Sequence, residues 1–389
     1  MSWLAWTDTW QVTLRKPIIT FPPGPGMDIR GFGRNDYGQV NPASYEPYLQ
    51  DTDTVIFKNV RKVSTGLNHT LVLDWEGRVF GWGDNSYGQI EPSLKDTVPV
   101  WRDKTYVLKT NIKDIAAGGA HSLAISNNNW ASAWGDNGSS QCNLYGSGFK
   151  AVFARYRASL GITTSNEIQS VGYNKYGAID PDSPVVSYPY IKSYVSRAGL
   201  NCGPTISLGP DIRFFVTRSF KAYSGGDNDY HFQSNPYTNT YAEAFAQRHS
   251  GAHWAYKFKG AQKVTTGLET RFLSLKGQVH NWGRGVNTSS TAVYNWGVGY
   301  AYLNGWHTTG PEVLNNIIAE GIINIYEGKL AVFALTHDRN LLAWGYNENA
   351  SVSPIHAVDR TIPLDGVIIA TNVKYCSEGV GDHTFIAFR

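Results

Sequence analysis

The chain has 389 residues, of which 42% are hydrophobic and only 17% are charged, so it can bury a core and is not a disordered tail. Its net charge of +3 is nearly neutral and it contains no basic run, which argues against nucleic acid as the main partner. The 13 Trp, 23 Tyr and 40 Gly indicate strands and tight turns rather than helices.

Cysteine spacing and the N-terminal residues indicate the class of protein. Cys142, Cys202 and Cys376 lie far apart without a Cys-x-x-Cys pair, which argues against a disulfide framework and a zinc site. The start "MSWLAWTDTW" has no basic stretch followed by an apolar run, so no secretory signal is expected. No apolar stretch approaches the roughly 20 residues of a membrane helix. We therefore expect a soluble protein made in a reducing compartment.

Residues 1–29 are predicted to form an extended or helical arm ahead of a propeller domain at 30–389. Trp3, Trp6 and Trp10 would share one face of a helix, and "FPPGPG" (21–26) would act as a stiff spacer. The arm either docks in a neighbouring subunit or folds back on its own propeller, and the sequence leaves both open.

A repeat occupies the rest of the chain. Residues 60–90 align with 112–142, with His69 over His121 and Trp82 over Trp134. Four further copies lie at 152–179, 203–230, 264–285 and 325–349. Runs such as "HTLVLD" have no helical period, and Gly, Asp or Asn stand at the hairpin tips, so each copy is predicted to be a small antiparallel sheet.

The two ends of the chain complement each other. Residues 30–40 are the tail of a repeat without its head, and 377–388 are a head without its tail. The sequence therefore predicts an all-β, seven-bladed β-propeller closed by strands from both termini, which hides its sheet edges. Long gaps between repeats predict insertions at 231–260 and 286–320. The short gap between 134 and 171 predicts that the fourth unit has lost an outer strand.

These residues resemble the regulator of chromosome condensation family, whose seven-bladed propellers repeat Gly-x-x-His-(Ser/Thr) and then Trp-Gly-x-Asn-x-x-Gly-Gln. The match "GLNHTLVL…GWGDNSYGQI" carries the resemblance, which covers about residues 30–389. The His is missing in four of the seven units, and Trp-Gly is eroded in the first, fourth and fifth. The founding member is an exchange factor for the small GTPase Ran and docks on nucleosomes. Neither its wedge motif nor its basic tail is present here, so no functional residue is carried over.

Within the repeat, the Gly of "WGDN" is expected to allow close backbone approach, and the Asp-Asn pair is expected to tolerate a left-handed turn. The Trp is expected to be a wedge between blades. His69, His121 and His383 recur at one repeat position, one per blade. They are therefore predicted to be hydrogen-bonded structural residues rather than ligands of a shared metal ion.

No chemistry-bearing motif stands out. Three acidic pairs could bind calcium or act as a glycosidase acid and base, but turn formation explains them better; they are Asp51/Asp53, Asp180/Asp182 and Asp227/Asp229. The sequence has no Gly-x-Ser-x-Gly, His-Glu-x-x-His or P-loop motif. We expect no enzyme activity, no metal and no cofactor.

Aromatic residues of the arm and the insertions are the candidates for partner binding, unless they serve ordinary loop packing. They are Trp3, Trp6, Trp10, Trp254, Tyr256, Tyr300, Tyr302 and Trp306. The expected function is a non-catalytic protein–protein interaction and assembly module, specifically a structural virion component such as a bacteriophage tail, neck or capsid-surface protein. Its partners would be other proteins of a larger assembly or further copies of itself, without nucleic acid or membrane insertion. The alternatives are an exchange-factor-like effector of a small GTPase and a carbohydrate- or receptor-binding propeller. The expected location is the virion, or otherwise the cytoplasm.

Overall fold

The computed structural model describes residues 26–49, 53–95, 97–173, 191–196, 202–208, 212–217, 221–226, 255–259, 261–266, 270–282, 317–329, 331–347 and 361–388. Over these residues the chain is all-β, as predicted, with one short 3₁₀ turn at Pro92–Leu94. None of the described segments is a helix with the length and apolarity required to cross a membrane.

The strands follow the repeats. In chain order they are β1 (Met27–Arg34), β2 (Tyr48–Leu49), β3 (Phe57–Thr65), β4 (His69–Asp74), β5 (Val79–Asp84), β6 (Val100–Trp101), β7 (Ile112–Ala117), β8 (His121–Ser126), β9 (Ala131–Gly135), β10 (Phe149–Arg155), β11 (Ala158–Thr163), β12 (Ile168–Tyr173), β13 (Ile191–Ser196), β14 (Cys202–Leu208), β15 (Ile212–Thr217), β16 (Lys221–Gly226), β17 (Ala255–Lys259), β18 (Ala261–Thr266), β19 (Thr270–Ser274), β20 (Val279–Trp282), β21 (Ile317–Ala319), β22 (Ile322–Glu327), β23 (Ala331–Thr336), β24 (Leu341–Tyr346), β25 (Thr361–Ala370), β26 (Val373–Cys376), β27 (Glu378–Gly379) and β28 (His383–Phe388). Every residue of β4 is buried, because neighbouring units cover both faces of the strand.

Each unit is an antiparallel meander whose first strand is the innermost. Four separate sheets have four strands each, β10–β13, β14–β17, β18–β21 and β22–β25, and a fifth has the three strands β7–β9. The sixth sheet has nine strands, because it joins β3–β6 to the strands of the two chain ends.

The two chain ends share one set of strands, here called the terminal blade. In it β26 pairs with β28, β28 with β1, and β1 with β2. Phe32 lies directly opposite Thr384 in the register between β1 and β28. The predicted closure by both termini is confirmed. Strand β1 begins at Met27, ahead of the predicted domain boundary at residue 30.

The innermost strands form a ring of contacts. They touch in the order β3, β7, β10, β14, β18, β22, and β27 contacts both β22 and β3, which returns the ring to its start. The innermost strands of a propeller run in the same direction along the central axis. Their first residues therefore lie at one face of the ring and their last residues at the other. The count of seven blades stays a prediction, since the strands are assigned to six sheets.

The hydrophobic core lies between neighbouring units. Trp82 of β5 is fully buried in a cluster that includes Val60 of its own unit and Phe385 and Ile29 of the terminal blade. The Trp82 and Phe385 rings meet edge to face with centroids 6.2 Å apart. The predicted role of Trp82 as a wedge between blades is confirmed.

The structure corrects the prediction about which unit has lost an outer strand. The unit with only three strands is β7–β9, the third, whereas the fourth keeps all four strands. The third unit is short because a single bridge, Ala131 to Gly146, stands where other units have an outer strand. The segments predicted to be insertions, 231–260 and 286–320, each contain an outer strand near their end, β17 in the first and β21 in the second. The other residues of those insertions lie outside the described residues.

Candidate functional site

Histidines at the repeat position fasten neighbouring units together. Nε2 of His383 lies 3.0 Å from Oγ1 of Thr70 in the next unit, and that hydroxyl donates to the carbonyl oxygen of Gln39 at 2.7 Å. The single hydroxyl proton is used by the carbonyl, so His383 must donate from Nε2. We call this chain of two hydrogen bonds a histidine lock.

The same lock recurs at the next two interfaces. Nε2 of His69 lies 3.2 Å from Oγ of Ser122, which donates to the carbonyl of Gln89 at 2.6 Å. Nε2 of His121 lies 2.8 Å from Oγ of Ser159, which donates to the carbonyl of Gln141 at 2.7 Å. The predicted structural role of the three histidines is confirmed, because each Nε2 is committed to a neighbouring blade.

The first residue of the Gly-x-x-His motif makes room for the imidazole. A Cβ at Gly66 would lie 2.1 Å from Cε1 of His69, and one at Gly118 would lie 2.0 Å from Cε1 of His121. Burial lowers the pKa of His69 and of His383 to about 3, and that of His121 to about 4. The locks are therefore made by neutral imidazoles.

In the motif Trp-Gly-x-Asn-x-x-Gly-Gln, the side chains of the Asn and the Gln accept hydrogen bonds from the backbone of the loop. Oδ1 of Asn85 accepts hydrogen bonds from the backbone N–H groups of Ile90 at 3.0 Å and Glu91 at 2.9 Å. Asn35 holds the equivalent loop through Val40 in the same way. The positive φ angles of this stretch lie at Gly83 (φ 111°) and Gly88 (φ 72°), so glycines rather than the Asp-Asn pair take the left-handed conformation. The predicted close backbone approach at the Gly of "WGDN" is confirmed, since a Cβ at Gly83 would lie 2.4 Å from the carbonyl oxygen of Asn68.

A cavity of about 460 Å³ lies at the face where the innermost strands begin. Its lining comes from β3, β7, β18, β22 and β26, together with Leu335 of β23, Arg339 of the β23–β24 hairpin and Glu378 of β27. We call it the basic cavity, because six Lys or Arg side chains line it and only two carboxylates do. The cations are Arg61, Lys62, Lys113, Lys263, Arg339 and Lys374, and the carboxylates are Asp114 and Glu378.

A repeated irregularity in the innermost strands places several of these cations. The strand pairing skips one residue after the first pair, and the skipped residue is Arg61 in β3, Lys113 in β7, Lys150 in β10 and Lys374 in β26. A left-handed residue, Asn or Gly, stands two positions earlier at Asn59, Asn111, Gly148 and Asn372. Such a bulge turns a side chain out of the regular alternation of the strand. The sequence signal of these cations is the pattern Asn/Gly, apolar, Lys/Arg, which is not part of the family motif.

The two carboxylates are already bound to lysines. Nζ of Lys62 lies 2.6 Å from Oδ1 of Asp114, and Nζ of Lys263 is paired with Oε1 of Glu378. Tyr326 and Tyr375 form one wall, with ring centroids 5.5 Å apart, and Nζ of Lys263 lies 4.8 Å from the Tyr326 centroid. Burial raises the pKa of the Tyr326 phenol well above its ordinary value, so this ring stays neutral.

A buried ion pair spans the ring at the opposite ends of the innermost strands. Nη2 of Arg155, the last residue of β10, lies 3.4 Å from Oε1 of Glu327, the last residue of β22. Arg155 also donates to the carbonyl oxygen of Gly328 at 3.3 Å. Strand β10 contacts β7 and β14, whereas β22 contacts β18 and β27, so the two strands are not neighbours and the ion pair lies across the axis of the ring.

Of the eight partner-binding residues predicted from the sequence, Tyr256 alone lies within the described residues. Tyr256 lies on β17, opposite Tyr223 of β16. The others, Trp3, Trp6, Trp10, Trp254, Tyr300, Tyr302 and Trp306, lie outside the described residues. Of the acidic pairs, only Asp53 is described; its Oδ1 lies 3.3 Å from Nη1 of Arg30. Within the described ranges, no group of three or more His, Cys, Asp or Glu could hold a metal ion.

Comparisons with known proteins agree with this architecture. Residues 60–89 and 112–141 match the family described as "Regulator of chromosome condensation (RCC1) repeat", and a second profile of that repeat matches 76–125. The ultraviolet-B receptor UVR8 of Arabidopsis thaliana is 24% identical over 187 residues, which are 46% of this chain and 41% of the receptor. The human X-linked retinitis pigmentosa GTPase regulator is 32% identical over 120 residues, or 29% of this chain and 11% of that protein. The chain spans less than half the length of these curated relatives.

Solved structures show the same fold over nearly the whole chain. Human WBSCR16 superposes with a TM-score of 0.68 at 16% identity, covering 94% of this chain and 99% of that one. Prp20p of Saccharomyces cerevisiae superposes with a TM-score of 0.65 at 15% identity, covering 93% and 91%. These identities are low, so the superpositions speak for the fold alone. Residues 60–141 therefore match RCC1 repeats, and the chain as a whole has an RCC1-like β-propeller fold.

Proposed function

We propose that this chain is a non-catalytic protein-interaction module, a rigid ring that presents a binding surface to a protein partner. The observation that supports the proposal most directly is the basic cavity, where side chains from five innermost strands place more cations than carboxylates at the centre of one face. A surface of one charge sign favours a partner of the opposite sign and raises its rate of association.

The contacts of the chemistry-bearing residues support binding over catalysis. The three buried histidines, His69, His121 and His383, are engaged in blade-to-blade hydrogen bonds. The two carboxylates at the cavity are held in ion pairs with Lys62 and Lys263. A general acid or base needs a proton-transfer group that can reach a substrate, and these groups already serve other contacts.

Regulation of a small GTPase is the second candidate function. One relative is named a GTPase regulator, and the structure of Prp20p is described together with its binding to Gsp1p and histones. This candidate predicts that the purified chain accelerates release of a fluorescent guanine nucleotide from a small GTPase. An interaction module without exchange activity leaves that rate at its intrinsic value.

The test of the proposed function is recovery of a stoichiometric complex. The full chain is purified from its source under native conditions, and co-purifying proteins are quantified by mass spectrometry. Each candidate is then produced separately and titrated against the pure chain by calorimetry. We expect at least one partner to rebind in a fixed ratio with a dissociation constant of about 1 μM or tighter. A chain that purifies alone, and for which no candidate rebinds, would contradict the proposal.

We further propose a virion as the larger assembly to which the module belongs, with carbohydrate or receptor binding as the alternative. Membership of a virion, expected from the general style of the sequence, predicts a fixed copy number of this chain in purified particles. Carbohydrate or receptor binding predicts instead a saturable signal on a glycan array. Each readout is independent of the nucleotide-release assay, so the alternatives are separable.

A further inference from the structure

Four of the six cations at the basic cavity form no ion pair with a carboxylate in the described part of the chain. Lys62 and Lys263 are neutralised by Asp114 and Glu378, which leaves Arg61, Lys113, Arg339 and Lys374. The guanidinium of Arg61 lies 5.9 Å from the centroid of the Trp75 ring, a neutral partner. Subtracting two carboxylates from six cations leaves a local charge of +4, compared with +3 for the whole chain.

These cations are partly withdrawn from water. Arg61, Lys113, Arg339 and Lys374 are all half-buried, and the Lys113 amine donates to Oδ1 of Asn129 rather than to a carboxylate. Burial lowers the pKa of Lys113, which is the expected response of an ammonium group that loses hydration. An anion that enters the cavity would restore favourable interactions to several such groups at once.

The shape of the cavity narrows the class of anion. A volume of about 460 Å³ is suited to a few amino-acid side chains. Ile323, Leu335 and Tyr326 add apolar and aromatic wall between the cations. Proteins that bind a nucleic-acid backbone usually follow it with a basic groove and aromatic stacking platforms, whereas here the cations converge on one compact concavity.

We propose that the basic cavity binds an acidic peptide segment of a protein partner. Two or more Asp or Glu carboxylates of the segment contact Lys113, Arg339 and Lys374, while an apolar side chain of the segment packs on Ile323. The inference rests on the proposed function and specifies the surface and the chemistry of its partner. Because the attraction is electrostatic and partly exposed to solvent, binding weakens as ionic strength rises.

The test is a direct titration of the full chain with a defined probe. The probe is a short fluorescent peptide of alternating Glu and Leu, and its control is the same peptide with Gln in place of every Glu. Fluorescence anisotropy is measured at low and at physiological salt. The variants K113E and K374E reverse charges inside the cavity. K58E and K95E reverse exposed lysines that do not line it, so K58E/K95E matches the net charge of K113E/K374E.

We expect the Glu peptide to bind and the Gln peptide to bind at least tenfold more weakly. Each cavity variant should weaken binding by about tenfold and the double variant by about a hundredfold, while the control variants stay within about twofold. Thermal melting checks that each variant is folded, and K113Q and K374Q replace any charge-reversal variant that is not.

Three results would overturn the inference. They are equal binding of the Glu and Gln peptides, unchanged binding by K113E/K374E, and displacement of the peptide by inorganic phosphate or single-stranded DNA at lower concentrations than unlabelled peptide. If K113E/K374E retains a native partner at full affinity, this inference is wrong while the interaction role stands. If the peptide binds the cavity but no native complex exists, the cavity chemistry is right and the proposed function is wrong.

Discussion

Acidification should unfold this protein through its histidine locks. The pKa values of His69, His121 and His383 are lowered by burial to about 3, 4 and 3. Burial outweighs the carboxylates of Asp136 near His121 and Asp36 near His383, which act in the opposite direction. In the unfolded chain each imidazole titrates near pH 6.5. The folded state therefore binds fewer protons than the unfolded state below that pH.

The sign and size of the effect follow from proton linkage. The contribution of the locks to stability is fully present above about pH 6.5 and is lost as the pH falls toward the folded-state pKa values. Each histidine then loses about 1.4 kcal/mol per pH unit, so the three together lose about 4 kcal/mol per unit. At pH 5 the loss is about 6 kcal/mol, a large share of the roughly 5–15 kcal/mol typical of a folded domain. The value at pH 5 requires only that the folded-state pKa values stay below 5.

Urea unfolding followed by tryptophan fluorescence between pH 7.5 and 5 measures this loss. The variant H121Q removes one titrating group, so the pH slope of its unfolding free energy should fall by about a third. H337Q is the matched control, because His337 is exposed on a hairpin turn away from the locks. An unfolding free energy that is level between pH 6.5 and 5, or a slope that H121Q leaves unchanged, would refute the reasoning.

Three further predictions concern stability. Deleting residues 380–389 removes buried Phe385 and Ile386, whose burial contributes about 1.5–3 kcal/mol each, and leaves β1 as an open sheet edge. We therefore expect the product to aggregate, as measured by light scattering. A product that melts like the full chain would count against the shared terminal blade. G66A drives a methyl group into the His69 ring and should lower the melting temperature by several degrees, whereas G138A, where the nearest atom would be Oδ1 of Asp136 at 3.2 Å, should not. E327Q leaves the buried Arg155 charge without its carboxylate and should lower the free energy of chemical unfolding by about 3–5 kcal/mol. The apolar replacement R155M/E327L should recover much of that loss. An E327Q variant as stable as the wild type would show that the ion pair does not stabilise the fold.

The sequence alone was sufficient for the repeat, the strand type and the closure. A blade is a local meander, so its apolar runs and turn residues lie within one short stretch, and a missing head at one end can be matched to a missing tail at the other. Phe32 opposite Thr384 follows from that match. The roles of Trp82 and the three histidines were also predicted, because residues that recur once per blade inside buried strands pack against the neighbouring blade and are too far apart to share a metal ion.

Spacing and residue type could not resolve which contacts individual residues make. Only a short stretch separates Trp134 in the third unit from position 171 in the fourth unit. The length of that stretch predicts a missing outer strand, but it does not say which of the two units lacks it. Asn85 looked like a turn-forming residue, but it is buried and accepts hydrogen bonds from two backbone N–H groups. Such roles depend on where the chain runs after the turn, and that path is decided by packing.

The basic cavity and the buried ion pair exist only because the ring closes. Arg155 and Glu327 are 172 positions apart, and Lys113 meets Lys374 at one cavity although each follows its own local bulge. The sequence determined that each innermost strand starts with an Asn or Gly, an apolar residue and often a cation. Only the tertiary structure decided that these starts share one face, because the direction and curvature of neighbouring sheets bring distant strands around a common axis.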